Sequence, residues 1–344
     1  MKILNDLNLN ELKILMQSLG EKYFHAGQIF RALSLGKKIS EITEISTKLR
    51  QKLTEIYVDE PVKLVKKLVS KDGTEKYLMR LHDGNVIEGV FMKNRYGNTE
   101  CLSTQVGCRM GCKFCASTIG GLVRNLTAGE MYATVCLVNK INGGTLDKRA
   151  VTKIVLMGSG EPFDNYDETV KFLRLVSSVD GLNVSLRNIS LSTCGLVPEM
   201  IKFASEGLPV NLTVSLHQPF NEKRKALMPI AKAYSISDIL SACDNYFNKT
   251  GRRYIFEYSL VKGENDDRQS ADELIKILKG KPCHVNIIRL NEVKENGLKA
   301  TTEKEAYAFA GYLEKAGLSA TVRRLNGADI EGACGQLRRS YLND

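Results

Sequence analysis

The stretch Cys101-Leu-Ser-Thr-Gln-Val-Gly-Cys108-Arg-Met-Gly-Cys112-Lys-Phe-Cys115 holds four of the nine cysteines of the chain. Three of them, Cys108, Cys112 and Cys115, follow the spacing C-x3-C-x2-C. A structural zinc ion asks for four tetrahedral ligands, commonly two C-x2-C pairs or a Cys pair with a His pair. No fourth ligand stands close: the next cysteine is Cys136 and the next histidine downstream is His217. Three thiolates on one short loop suit a 4Fe–4S cluster instead, one sulfur per iron, with the remaining iron open to a substrate or cofactor. Phe114, just before the third ligand, would keep water from such a cluster, and burial is one lever on its potential. Zinc and plain core burial stay open as alternatives at this point, because free cysteine is among the most buried residue types. The same tendency assigns the isolated Cys136, Cys243 and Cys283 to the core.

Two further groups could do chemistry. Cys334 lies between Ala333 and Gly335 in the segment Asn326–Leu337, and its small neighbours permit close approach of a large substrate. A lone cysteine is usually inert, so the spacing alone leaves a reactive thiol and a passive one both open. Glu88 interrupts the apolar run Val86–Met92. Alternation along a strand puts it either on an exposed face or pointed into a site.

The elements that must position these groups follow from periodicity. Leu12, Ile14, Leu15 and Leu19 recur at helical spacing; His25–Leu33 and the positions Leu49, Leu53 and Ile56 give two more amphipathic series. From Val62 to Met92 the texture becomes strand-like, with reversals at Lys71-Asp-Gly-Thr and His82-Asp-Gly-Asn85. Beyond Glu100, short apolar strands alternate with helix-length segments. The strands are Cys101–Thr104, Lys153–Met157, Ile189–Ser192, Leu212–Leu216, Ile255–Leu260 and Val285–Ile288, with a short strand Ala320–Arg323 near the end. The helices are Thr127–Asn142, opened by the capping box Thr127-Ala-Gly-Glu130, then Glu168–Ser178, Pro198–Ser205, Ile236–Phe247 and Ser270–Leu278. This alternation predicts an α/β fold, a partial parallel (β/α)6 barrel with a small N-terminal helical domain over 1–60, a short β extension over 61–95 and a core over 96–344. In such a barrel the chemistry sits at the C-terminal ends of the strands. The cluster loop, Gly158-Ser-Gly-Glu-Pro162, Ser192-Thr-Cys-Gly195, Ser215-Leu-His-Gln218 and Asn291 all fall there.

Composition bounds the setting. The chain has 344 residues, 43% of them hydrophobic and 26% charged, as in globular proteins. No run approaches the length of a membrane span, and Met1-Lys-Ile-Leu-Asn-Asp-Leu has no signal-peptide core, so a cytoplasmic protein is expected. A formal charge of +10 suits a polyanionic partner. The pairs Lys37-Lys38, Lys66-Lys67, Arg252-Arg253, Arg323-Arg324 and Arg338-Arg339 are scattered and read individually as solvated faces.

Taken together, the motifs carry a resemblance. Cys108, Cys112 and Cys115 with Phe114 resemble the signature of radical S-adenosylmethionine enzymes. Cys101–Gly121, Arg124–Glu130, Gly160-Glu-Pro, Ser215-Leu-His and Ala333–Leu337 are similar to the RlmN/Cfr family of RNA adenine methyltransferases. The resemblance spans nearly the whole chain, and Cys115–Gly121 is closer to the housekeeping branch acting at C2 of adenine in 23S rRNA and tRNA than to the antibiotic-resistance branch acting at C8. It implies a 4Fe–4S cluster on Cys108, Cys112 and Cys115, its open iron chelating S-adenosylmethionine. Gly160 and Glu161 would hold the methionine amino end, while Ser192, Ser215, Leu216, His217 and Asn291 would contact the rest. It further implies two S-adenosylmethionine molecules per turnover: one methylates Cys334, and the other is cleaved to a radical that removes hydrogen from the S-methyl group. The resulting methylene radical adds to the electron-poor adenine carbon, which ordinary displacement could not alkylate. Glu88 then resembles the proton acceptor, and Cys101 the partner that releases product through a transient disulfide with Cys334. The implied partners are 23S rRNA, tRNA and an electron donor such as a flavodoxin or ferredoxin, with the enzyme a monomer and no membrane involved.

Overall fold

The computed structural model describes residues 1–293, 295 and 297–337; the basic pair Arg338-Arg339 lies outside them. Three short helices open the chain: α1 (Leu9–Ser18), α2 (His25–Ser34) and α3 (Thr47–Ile56). Asn8 caps α1 by accepting from the N–H groups of Asn10 and Glu11, and the Glu11 carboxylate accepts in return from the Asn8 N–H at 2.8 Å. Leu12, Leu49 and Leu53 are buried as their spacing predicts, but Ile14 and Ile56 face solvent.

A meander follows, β1 (Val62–Val69), β2 (Glu75–Leu81) and β3 (Val86–Met92), all antiparallel. β3 pairs antiparallel with β4 (Thr99–Cys101), and from there the sheet is parallel. The parallel strands are β4, β7 (Lys153–Leu156), β8 (Ile189–Thr193), β9 (Asn211–Ser215), β10 (Tyr254–Leu260), β11 (Cys283–Arg289) and β12 (Ala320–Val322). Among the described residues the order is β1-β2-β3-β4-β7-β8-β9-β10-β11-β12, with β1 and β12 as its edges. The six predicted parallel strands are all present, and the short one near the end joins them as a seventh. The expected strand Cys101–Thr104 overlaps β4 only at Cys101, because the strand starts at Thr99 and the chain turns away after Cys101. It enters a separate ribbon of β5 (Gln105–Gly107) and β6 (Leu122–Asn125) that closes the cluster loop at its base.

Helices cover the sheet: α4 (Ala128–Ile141), α5 (Tyr166–Val176), α6 (Val197–Ala204), α7 (Asn221–Leu227), α8 (Ile236–Thr250), α9 (Arg268–Leu278) and α10 (Glu303–Lys315). The capping box predicted for α4 is formed, with the Glu130 N–H donating to Thr127 Oγ1 and the Thr127 N–H donating to Glu130. α7 and α10 were not among the expected helices; α7 is short and charged, with little apolar periodicity to betray it.

One continuous apolar core runs from Leu4 through α2 and α4 to Ala320. The N-terminal helices therefore share the core of the sheet. Phe30 stacks near Tyr132, Ser34 Oγ is 2.6 Å from the Tyr132 hydroxyl, and the Gly129 N–H donates to Asp6. Cys136, Cys243 and Cys283 lie in this core as predicted.

Candidate active site

All seven parallel strands deliver their following loops to one rim. The cluster loop rises between β5 and β6, and the Cys108 N–H donates to the Gly121 carbonyl at 3.1 Å across its base. Gly107 sits at φ +79°, and a Cβ there would lie 2.0 Å from the Gly121 oxygen, so only glycine fits. The loop after β7 is wired to it: the Ser159 N–H donates to Ser103 Oγ at 2.9 Å and the Glu161 N–H to Gln105 Oε1 at 2.8 Å. Gly160 combines φ +109° with a Cβ position 2.7 Å from Gln105 Cβ and Thr104 Oγ1. Thr104 and Gln105 thus fill the space where a side chain would stand, and only glycine fits.

These loops enclose a cleft of about 890 Å³ including its open mouth. Cys108, Cys112 and Cys115 line it together with Gly160, Glu161, Ser192, Ser215, His217, Asn291 and Cys334. Leu216 does not; its side chain is buried in the main core between the two lining neighbours.

Burial pushes the Cys108 thiol up to about 12, with Cys115 and Glu161 adding to the effect. Burial also raises Cys112, then the nearness of Cys115 and Cys108. Burial raises Cys115 as well, partly offset by hydrogen bonds from Ser117. Raised in this way, the three thiols stay protonated unless a bound cationic group draws off their protons. Among the described residues no three His, Cys, Asp or Glu side chains converge on one point, as a single ion would require. Three thiols in one cleft that do not share a point fit a multi-iron cluster, each sulfur at its own corner.

The other walls are polar and constrained. Glu161 is buried, and its two oxygens accept from the Phe163 and Cys194 N–H groups at 3.0 and 2.7 Å. Burial raises its pKa, against those two hydrogen bonds. His217 occupies the left-handed region at φ +54°, uncommon for a non-glycine residue and costly unless the surroundings enforce it. Its Nδ1 accepts from the Ser259 N–H at 3.0 Å, which puts the proton on Nε2. Burial, with Arg224 nearby, lowers its pKa to about 3, so it is neutral at physiological pH. Its ring meets Phe114 edge-on at 4.5 Å, and the half-buried Phe114 packs with Cys112 and Cys115.

The segment carrying Cys334 is clamped to the cluster loop. The Ala116 N–H donates to the Gly335 carbonyl at 2.7 Å and Ser117 Oγ to the Leu337 carbonyl at 2.8 Å. Asn291 Nδ2 donates to the Cys334 carbonyl at 2.9 Å. From the other side the β1–β2 turn holds the same segment: Ser70 and the Lys71 N–H donate to Asp329, and the Gly327 N–H donates to Asp72. Cys334 stands between two cavities. The second is lined by Cys101 and shares Met157, Asn291, Arg323 and Cys334 with the first. Burial raises the Cys101 thiol, then Cys334, while Arg323 opposes the shift. The thiols of Cys101 and Cys334 are both free.

Glu88 lines neither cavity. It borders a smaller one with Gln105, Ser159 and Leu337, is 3% exposed, and pairs with the buried Lys76 at 2.9 Å. The exposed-face alternative for Glu88 is thereby overturned. The solvated-face reading of Arg323 fails likewise: its guanidinium reaches Glu257 Oε1 at 3.5 Å and lines both cavities. Cys194, within the Ser192-Thr-Cys-Gly195 segment expected at the rim, also lines the cleft; Glu257 lines it too and was not singled out from sequence, since it sits in a strand where alternation predicted only a face.

Comparison with known proteins places this geometry. Residues 102–275 match the radical SAM superfamily, and residues 3–58 match the ribosomal RNA large subunit methyltransferase N-terminal domain. A Lachnoclostridium phytofermentans protein described as "Probable dual-specificity RNA methyltransferase RlmN" is 50% identical, covering 98% of this chain and 94% of its own. A Clostridium perfringens protein of the same description is 51% identical, covering 99% and 98%. The crystal structure of a radical SAM methyltransferase from Sphaerobacter thermophilus superposes with TM-score 0.94 at 39% identity, covering 98% of this chain and all of that one. With half its residues shared along nearly its full length, the chain belongs to the RlmN family of radical S-adenosylmethionine RNA methyltransferases, whose chemistry rests on a 4Fe–4S cluster and S-adenosylmethionine.

Proposed function

We propose that this protein methylates C2 of an adenine in 23S rRNA and of an adenine in tRNA, through S-methylation of Cys334. The observation that carries the reading is that Cys334 lines one cleft with Cys108, Cys112 and Cys115, although over two hundred residues separate them in sequence. Cys108, Cys112 and Cys115 would hold the cluster, Gly160 and Glu161 the amino end of S-adenosylmethionine, and Ser192, Ser215, His217 and Asn291 its remainder. When bound, these groups supply the methyl group and one-electron chemistry that a protein side chain cannot.

The chain's own residues do the rest. Cys334 accepts the methyl carbon and carries it to the base. Glu88, paired with Lys76, takes the C2 proton. Cys101, as the thiolate, attacks the Cys334 sulfur and breaks the sulfur's bond to the carbon now on RNA, which leaves with the bonding pair and takes up a proton to become the methyl group. The disulfide so formed requires two electrons from an external reductant, as transient cytosolic disulfides do. We assign residues 1–60 to RNA docking, 61–95 to support of the Cys334 segment, and 96–344 to catalysis by a cytoplasmic monomer supplied by a flavodoxin- or ferredoxin-type donor.

The test is anaerobic incubation with methyl-labelled S-adenosylmethionine and rRNA, followed by mass mapping. Label is expected on Cys334 and on C2; label on C8 would overturn the position assigned. Cys334→Ala should abolish RNA labelling while retaining iron, and unchanged turnover would defeat its role. Cys101→Ala should accumulate a covalent protein–RNA species, and a denaturing gel without one would count against the release step.

A further inference from the structure

Arg224 is fully buried, yet no carboxylate neutralises it. It sits on α7, just beyond the Ser215-Leu-His-Gln218 turn, with 0% of its surface exposed. Its Nε donates to the Leu216 carbonyl at 3.1 Å, and its Nη2 donates to the carbonyls of Cys194 at 2.8 Å and Ser215 at 3.1 Å. Nη1 is buried and has no hydrogen-bond partner. Among the described residues Arg224 forms no salt bridge, although the chain has many surface pairs.

A guanidinium taken out of water is costly unless an opposite charge meets it, and an unused N–H pair adds to that cost. Three backbone carbonyls do not require a cation, since a neutral amide could donate to two of them. A negative charge on something the site binds would meet the guanidinium. The end of α7 packs against the cluster loop. Leu227 and Met228, the end of the same helix, pack in one apolar cluster with Cys112, Cys115 and Phe114. The Lys113 N–H donates to the Leu227 carbonyl at 3.0 Å, so the helix carrying Arg224 is hydrogen-bonded to the middle of the cluster loop. Cys194 and Cys112 are the ionisable groups that act on the guanidinium.

We propose that Arg224 is the counter-cation of the iron–sulfur cluster, a positioning residue whose Nη1 donates toward the cluster or its Cys112 ligand. The proposal rests on the cluster assignment made above. An iron–sulfur cube held by three thiolates is a net anion and gains a further negative charge on reduction. A fixed cation beside it stabilises the reduced form more than the oxidised one and raises the reduction potential, as hydrogen bonds to the sulfurs do. The same side chain, holding the carbonyls of Ser215 and Leu216, fixes the end of β9 where the cofactor cleft begins.

The experiment uses the full-length holoprotein labelled with guanidinium-15N arginine and reduced anaerobically. Hyperfine spectroscopy of the reduced cluster should show a 15N coupling that disappears in Arg224→Lys at unchanged iron content. Redox titration should give a lower midpoint potential for Arg224→Gln, with Arg224→Lys recovering part of the shift. A full cluster signal in the wild type without arginine 15N coupling overturns the proposal, even if Arg224→Gln does not fold. So does an iron-replete Arg224→Gln with the wild-type potential, as expected if the side chain only braces the three carbonyls. A coupling that appears only after S-adenosylmethionine is added would assign the charge to the cofactor carboxylate and overturn it too. A wild-type protein reconstituted with no cluster signal would remove the cluster assignment itself, and this inference with it.

Discussion

At the scale of single residues, the least expected group is Glu100. It neighbours Cys101 on β4 but points to the other face, fully buried, with neither carboxylate oxygen hydrogen-bonded. Burial pushes its pKa to about 8 from an ordinary 4.5. Because the folded-state value is raised, the unfolded chain loses this proton first as pH rises. Stability is unaffected below about pH 4.5, then falls by about 1.4 kcal/mol per pH unit until about pH 8, where the loss levels off. Glu100→Gln should therefore gain stability over wild type on going from pH 5 to pH 8, read by urea unfolding at both. An equal difference at the two pH values would show that ionisation is not the cause. Gly160 permits an equally local prediction. Gly160→Ala combines positive φ with a sub-3 Å clash, so a loss of about 1–3 kcal/mol in stability is expected. Weaker S-adenosylmethionine binding by calorimetry should accompany it; wild-type affinity would mean that the loop relaxes freely.

At the scale of elements, the β extension acts as a brace. Its β1–β2 turn grips residues 327–331 through Asp72 and Asp329, and Lys76 Nζ donates to the Glu331 carbonyl at 3.1 Å. Hydrogen bonds from the Gly327 and Thr74 N–H groups outweigh burial and hold Asp72 down to about 2. This brace is thus present above the ordinary aspartate range and is lost as pH falls toward 2. The double substitution Asp72→Ala, Asp329→Ala should lower the fraction of S-methylated Cys334, measured by mass spectrometry, by about tenfold, as misplacement of a reacting group does. Iron content should hold, since the cluster loop has its own closure through β5 and β6. Equal loss of iron and methylation would indicate general unfolding instead. Thr127→Ala, which removes one half of the α4 capping box, should cost about 1 kcal/mol in thermal or urea unfolding.

At the scale of the whole molecule, the charge of +10 sets how the protein meets RNA. Binding through phosphate contacts releases counterions, so affinity for rRNA fragments should fall linearly on a log–log plot against salt. A fluorescence-anisotropy titration across about 50–200 mM salt measures the slope; a flat response would exclude a phosphate-dominated interface. The shared core of α2 and α4 makes the N-terminal helices and the sheet one packed body, so exposed Lys22, Tyr23 and Phe24 are held rigidly relative to the catalytic cleft.

What the sequence determined alone is what short range encodes. The spacing of Cys108, Cys112 and Cys115 limits them to one loop whatever the rest of the chain does. The change from helical to twofold to alternating periodicity gave the parallel sheet, and with it the rim. It could not say that the loop of Cys334 crosses back to Ala116 and Ser117, because contacts across more than two hundred residues depend on strand order, which no local pattern carries. Nor could it tell Arg323, set between two cavities, from a surface arginine, or find Arg224 alone among carbonyls. A side chain's charge is written in its type, but the charge it must meet is decided only when the fold removes water from around it.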